Sequence, residues 1–181
     1  MNGRSYTQPI ELLKDPAIPS SDADLGISTA AQIRIRDRMT ATADMINRIE
    51  IARKQIEDQL KSHKGQAAAE KALNDLDAKL LAVELRLLSR TDLHSDDKWY
   101  VEAYKIYMNL VWLNGVVGSG AGDVAGGADY RPTDASLEVL EGIDRDLAAA
   151  RAEFSRVMDQ DVPAFNRTTS TAGLSAIRPD R

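Results

Sequence analysis

From about residue 28 the apolar positions of the chain fall into a regular beat. Ile35, Met39, Thr42, Ile46, Ile49, Arg53, Ile56 and Leu60 follow one another at alternating steps of four and three, which puts them on one stripe of a helix. Ser28 or Thr29 is read as the N-cap, and a helix over 28–63 would be on the order of 50 Å long. Thr42 and Arg53 interrupt the seam and are read as pins of its register. Gly65 breaks the pattern, and so short a turn returns the next helix antiparallel. Ala69, Leu73, Leu76, Leu80, Val83 and Leu87 then repeat the spacing, with Glu70, Lys71, Asp75, Asp77 and Lys79 on the opposite face.

A polar connector, TDLHSDD at 91–97, leads to a third helix predicted over 97–117. Tyr100, Tyr104, Tyr107 and Val111 share one of its faces, and Ile106, Leu110, Leu113 and Val117 share another. So wide an apolar arc predicts the most buried helix of the set. After a glycine-rich loop at 118–132, Thr133 caps a fourth helix. Its seam runs Leu137, Leu140, Ile143, Leu147, Ala150, Phe154 and Val157, to about residue 159. The fold class predicted is all-α: an antiparallel up-down bundle of four helices, the first one long, over 27–166. Residues 167–181, rich in Thr, Ser, Arg and Pro, are expected to be an irregular tail.

Residues 4–13 do not keep this period. Tyr6, Gln8, Ile10 and Leu12 alternate with Ser5, Thr7, Glu11 and Leu13, which predicts a short β-strand, and Pro9 suggests an edge position. A single strand leaves its backbone donors and acceptors unpaired. The expectation is therefore an orphan strand that either pairs with material outside this sequence or is loosely held.

Composition narrows the function classes. The 181 residues carry a net charge of −5, and generic nucleic-acid binding needs a basic field instead. With 0 cysteines, thiol catalysis, disulfides and Cys-based zinc sites are excluded. The longest apolar stretch, LVWLNGVVG, is too short to span a bilayer, so no membrane partner is expected.

Candidate chemistry is sparse. The 2 histidines, His63 and His94, do not stand three after a Glu, as the paired ligands of a two-metal bundle do, and HEXXH is absent. The glycine-rich loop follows a helix and lacks the lysine of a phosphate cradle. Asp123 and Asp129 supply too few oxygens for calcium. DADLG at 22–26 is read as helix capping, and Asn166-Arg167-Thr168 has the form of a glycosylation acceptor. No serine has a histidine with an orienting partner. No catalytic residue, cofactor or metal is expected. Only the aromatic residues of the third helix suggest a ligand: Trp99, Tyr104 and Trp112 could stack a sugar ring, although the tyrosines also repeat at core spacing.

The passage GRSYTQPIELLKDP, followed by SSDADL and a long helix, and then LNGVVGSGAGDVAGGADYRPTDA, resembles the C-terminal region of large bacterial β-propeller proteins. These are the sortilin-like, BNR-repeat proteins often labelled glycosyl-hydrolase-like. The similarity covers about residues 3–166 and is strongest at the strand-to-Asp-Pro passage and at Pro132-Thr133. Ala17 stands where that family usually has arginine after Asp-Pro, and no Asp-box of the propeller type occurs. The resemblance implies an extracytoplasmic parent, periplasmic or secreted, whose propeller or β-sandwich domain is the partner of this chain. It also implies that 1–26 is the terminal strand and linker of a preceding β-domain. The expected function is a non-catalytic helical appendage serving domain packing or protein–protein interaction. A carbohydrate-binding module using Trp99, Tyr104 and Trp112 is the alternative, and self-association through the end of the long first helix is a third reading.

Overall fold

The computed structural model describes residues 5–89, 103–118 and 130–180. Four helices pack there as a bundle: α1 (Asp22–Ser62), α2 (Ala67–Leu87), α3 (Ile106–Val117) and α4 (Asp134–Arg156). The last runs on through one π turn, Val157–Asp161, into α5 (Val162–Ala172).

At 41 residues α1 is about 60 Å long. It begins one and a half turns earlier than the hydrophobic period predicts, because a capping box sits at 21–24. The Ser21 hydroxyl accepts from the Asp24 N–H at 3.1 Å, and the Asp24 carboxylate accepts from the Ser21 N–H at 3.3 Å. Two donors that a helix start leaves unpaired are thereby satisfied. The Ser21 hydroxyl and N–H also hold the Asp24 carboxyl below its usual value. Ser28 and Thr29 lie inside the helix, where the Thr29 hydroxyl donates to the Leu25 carbonyl at 2.9 Å.

The seams carry the core. Ile35, Thr42, Ile46, Ile49 and Ile56 of α1 are buried, as are all six predicted positions of α2 and Leu140, Ile143, Leu147, Ala150 and Phe154 of α4. Gly65, at φ 88°, allows the tight return from α1 to α2 that a side chain would strain.

The order of packing differs from four helices side by side. Arg53 of α1 reaches Asp77 and Glu84 of α2, which sets α2 antiparallel along the C-terminal half of α1. Gly118, at the end of α3, lies against Gln32 near the start of α1. The beginning of α3 adjoins the end of α2, where Leu85, Arg86, Tyr104 and Ile106 line one depression with Asp146. Hence α2 and α3 lie end to end, both antiparallel to α1. The up-down alternation runs over three rods: α1, then α2 with α3, then α4 with α5.

Two sequence expectations are corrected. Residues 5–15 form no strand, and no β-strand occurs among the described residues. An extended segment with no neighbour to take its ladder bonds cannot become a strand. The tail is also more ordered than its composition suggests. Helix continues to Ala172, and residues beyond it bury Leu174 and Ile177. Pro163 is the reason for the π turn. It has no N–H and its ring crowds the carbonyl four residues back, and the wider turn just before it lets Val162 donate to Val157 instead.

Candidate functional site

Of the three aromatic residues singled out, Trp99 lies outside the described residues. Tyr104 and Trp112 are brought together: their rings stack with centroids 6.2 Å apart and planes 24° apart. Tyr104 is half-buried, and Trp112 is 56% exposed. Val116, one turn on, is also exposed. The expectation that α3 would be the most buried helix therefore fails on this face. Ile106, Leu110, Leu113 and Val117 fill the core stripe, while Trp112 and Val116 are turned to solvent.

Charge is concentrated between helices. The Asp144 carboxylate of α4 receives two arginines of α1: Arg34 Nε at 2.9 Å and Arg38 Nε at 2.7 Å. Partial burial pushes the Asp144 carboxyl up, but hydrogen bonds from Arg38 and Arg34 outweigh it and hold the group below its ordinary value. The same bond raises Arg38.

A depressed carboxyl contributes stability that is complete above the unfolded pKa and is lost as pH falls through the folded one. Unfolding free energy will therefore fall below about pH 5, where free carboxylates begin to take up protons. Asp144→Asn will cost about 1–2 kcal/mol at pH 7, as expected for charge-assisted bonds at a partly open site. It will also flatten the decline in stability below about pH 5, read by urea titrations at a series of pH values. An unchanged slope would show that Asp144 is not one of the groups responsible.

A second cluster lies in a groove of about 420 Å³ between α1 and α2, lined by Glu50, Arg53, Lys54, Glu57, Asp77 and Glu84. Burial lowers the Arg53 guanidinium, but hydrogen bonding to Asp77 and the charges of Glu84 and Asp77 raise it further. Arg53 thus does what an interrupted seam suggested: it fixes the register of α1 on α2. Arg53, Asp77 and Glu84 are paired with one another, and Lys54 with Glu57 and Asp58.

Other motifs resolve into structure. His63 is a helix-end residue whose ring nitrogens lie 2.9 Å and 3.3 Å from the carbonyl oxygens of Gln59 and Gly173. His94, Asp123, Asp129 and most of the glycine-rich loop lie outside the described residues. No group of three or more metal-ligating side chains occurs among the described residues. DADLG caps α1. Asn166 sits in α5 with both ends of its amide engaged by Ile177, which removes it as an accessible glycosylation acceptor.

The arrangement that sequence reasoning missed is a strap. After the left-handed cap at Gly173, φ 69°, residues 174–180 run back along α1 and α5. Gln59 donates to the Ser175 carbonyl at 3.0 Å and accepts from the Ser175 N–H at 2.8 Å. Gln55 makes the same pair with Arg178, both at 2.9 Å, and Asn166 makes it with Ile177 at 2.9 and 2.8 Å. Each amide reads both polar groups of one backbone residue. Asp180 ends the strap 2.6 Å from Arg48, whose guanidinium lies 5.1 Å over the Phe154 ring.

No family model, curated protein or solved structure matches the chain. No helix among the described residues is long and apolar enough to cross a membrane.

Proposed function

We propose that this chain is a non-catalytic helical module that packs onto a β-domain, as an appendage of a larger extracytoplasmic β-propeller protein. The observation that carries the reading is the N-terminal arm. Tyr6, Ile10, Leu12 and Leu13 are 81–94% exposed, and Tyr6, Ile10 and Leu12 fall on alternate positions of one side. So dense a run of solvated apolar side chains marks an interaction segment. Its alternation suits addition to a sheet edge, where main-chain bonds give affinity and every second side chain enters a pocket.

The base of the arm is held in place. Asp15 takes the Ala17 N–H on its side chain at 2.8 Å and the Ile18 N–H on its carbonyl at 3.1 Å, a turn with Pro16 at its second position. Lys14 bonds the Ser20 carbonyl. These bonds fold residues 14–20 into a turn just before α1 and leave the apolar side chains of the arm exposed. The helical seams add cohesion and place no reactive constellation among the described residues.

Hydrogen exchange tests this. The amides of residues 5–13 will exchange at chain-like rates in the 181-residue protein, and at least about tenfold more slowly in a chain that also carries the β-domain. Equal rates in the two would overturn the reading. The Tyr104–Trp112 stack favours one further reading, a sugar platform. It predicts glycan binding by the bundle that Trp112→Ala abolishes, and silence across a glycan array would remove it.

A further inference from the structure

We propose that the groove between α1 and α5 is a binding site for non-helical peptides of the form aliphatic-x-x-aliphatic-x-x-acid, and that residues 174–180 are its resident, displaceable ligand. This does not depend on the role of the N-terminal arm.

The groove reads the strap as a receptor reads a peptide. Gln55, Gln59 and Asn166 bind backbone N–H and C=O groups, which every residue except proline offers. Side-chain selection comes from Leu174 and Ile177, which are buried, and from Asp180, which meets Arg48. Ser175, Ala176 and Arg178 point to solvent and are exposed. The pattern of pockets is therefore separate from the identity of the chain that fills them. An internal hydrophobic core lacks this property, because its backbone is satisfied by its own secondary structure.

Release of the strap gives up the burial of two aliphatic side chains, which a peptide with the same anchors restores. The Gln55 and Gln59 clamps are solvent-exposed, and hydrogen bonds there exchange readily for water. Undocking exposes Ile177 and Leu174, which belong to one core cluster with the seams of α1, α2 and α4, and frees the part-buried Asn166 clamp, so it is a local opening at the edge of that core. A peptide with the same three anchors can then take the groove.

The chain has 0 cysteines, so Ala176→Cys at an exposed strap position gives one site for a nitroxide label without disturbing the fold. The label will report an immobile strap. Adding the unlabelled peptide GLSAIRPD will convert it to a mobile one, with half conversion at a peptide concentration of about 1–10 mM. That value equals the effective concentration of the tethered strap, in the mM range for a short link. The same peptide with Asp in place of its isoleucine will have no effect. In the full chain, Ile177→Asp will lower the concentration of GLSAIRPD needed for binding by at least about tenfold, read by fluorescence anisotropy. Should that variant unfold, the label experiment on the otherwise native chain still decides. A label immobile beyond about 20 mM peptide, or equal displacement by both peptides, would overturn the proposal.

Discussion

Ile49→Ala will lower the unfolding free energy by about 2–5 kcal/mol, the range for removing a large aliphatic side chain from a close-packed core. Ile49 is fully buried in the C-terminal half of α1, the helix that packs against α2, α3 and α4. Because α1 packs against three other helices, closing the vacated space requires packed helices to move, and the cost falls within that range. Total stability of a domain this size is about 5–15 kcal/mol, so the loss will be large in proportion. Urea titration followed by circular dichroism will show a lower midpoint with an unchanged slope. Val139→Ala, on the exposed side of α4, will change stability by less than about 0.5 kcal/mol. Equal effects at the two positions would mean that the seam is not the core.

Asn166→Leu will cost about 2–3 kcal/mol. The substitution keeps the approximate shape of the side chain and leaves the Ile177 N–H and carbonyl without their partners. Each part-buried group left unpaired costs about 1–3 kcal/mol, and the sum is capped because the strap can undock and return both to water. Asn166→Asp will lose less, since its oxygen can still accept from the Ile177 N–H while the carbonyl loses its donor. The measurement is paired: stability by urea titration and exchange at the Ile177 amide, which will speed up in both variants. A loss of stability with no change in that exchange rate would place the effect of Asn166 elsewhere.

The seams were legible in the sequence because burial on one stripe of a helix forces apolar residues onto its period. All six positions read for α2 are buried, and Arg53, which breaks the seam of α1, has the interhelical partners that such an interruption implies. What the period does not carry is the identity of the opposing surface. A heptad stripe looks the same whether its partner is one long helix or two short ones end to end, so the in-line placing of α2 and α3 had no signal.

The strap was hidden for a different reason. Leu174 and Ile177 are isolated aliphatic residues in a Ser-, Thr- and Arg-rich stretch, too few to show any period. Gln55 and Gln59, one turn apart on α1, have the appearance of a solvated face until the strap lies over them. Asn166 pointed the wrong way, since its triplet has the form of a modification site. The N-terminal arm was half legible: its alternation is real, but a strand needs a neighbour that the described residues do not supply. The exposed ring of Trp112 was among the candidates, whereas the packing expected of the tyrosines holds for Tyr107, half-buried against the core.

Because the middle rod is split, α1 and the α4–α5 rod are the continuous members that bridge the joint between α2 and α3. The bundle behaves as two short three-helix blocks spliced by a pair of splints. Protection against deuterium will therefore divide along the length of α1: amides near Ile35 will follow the fate of α3, and those near Ile56 the fate of α2.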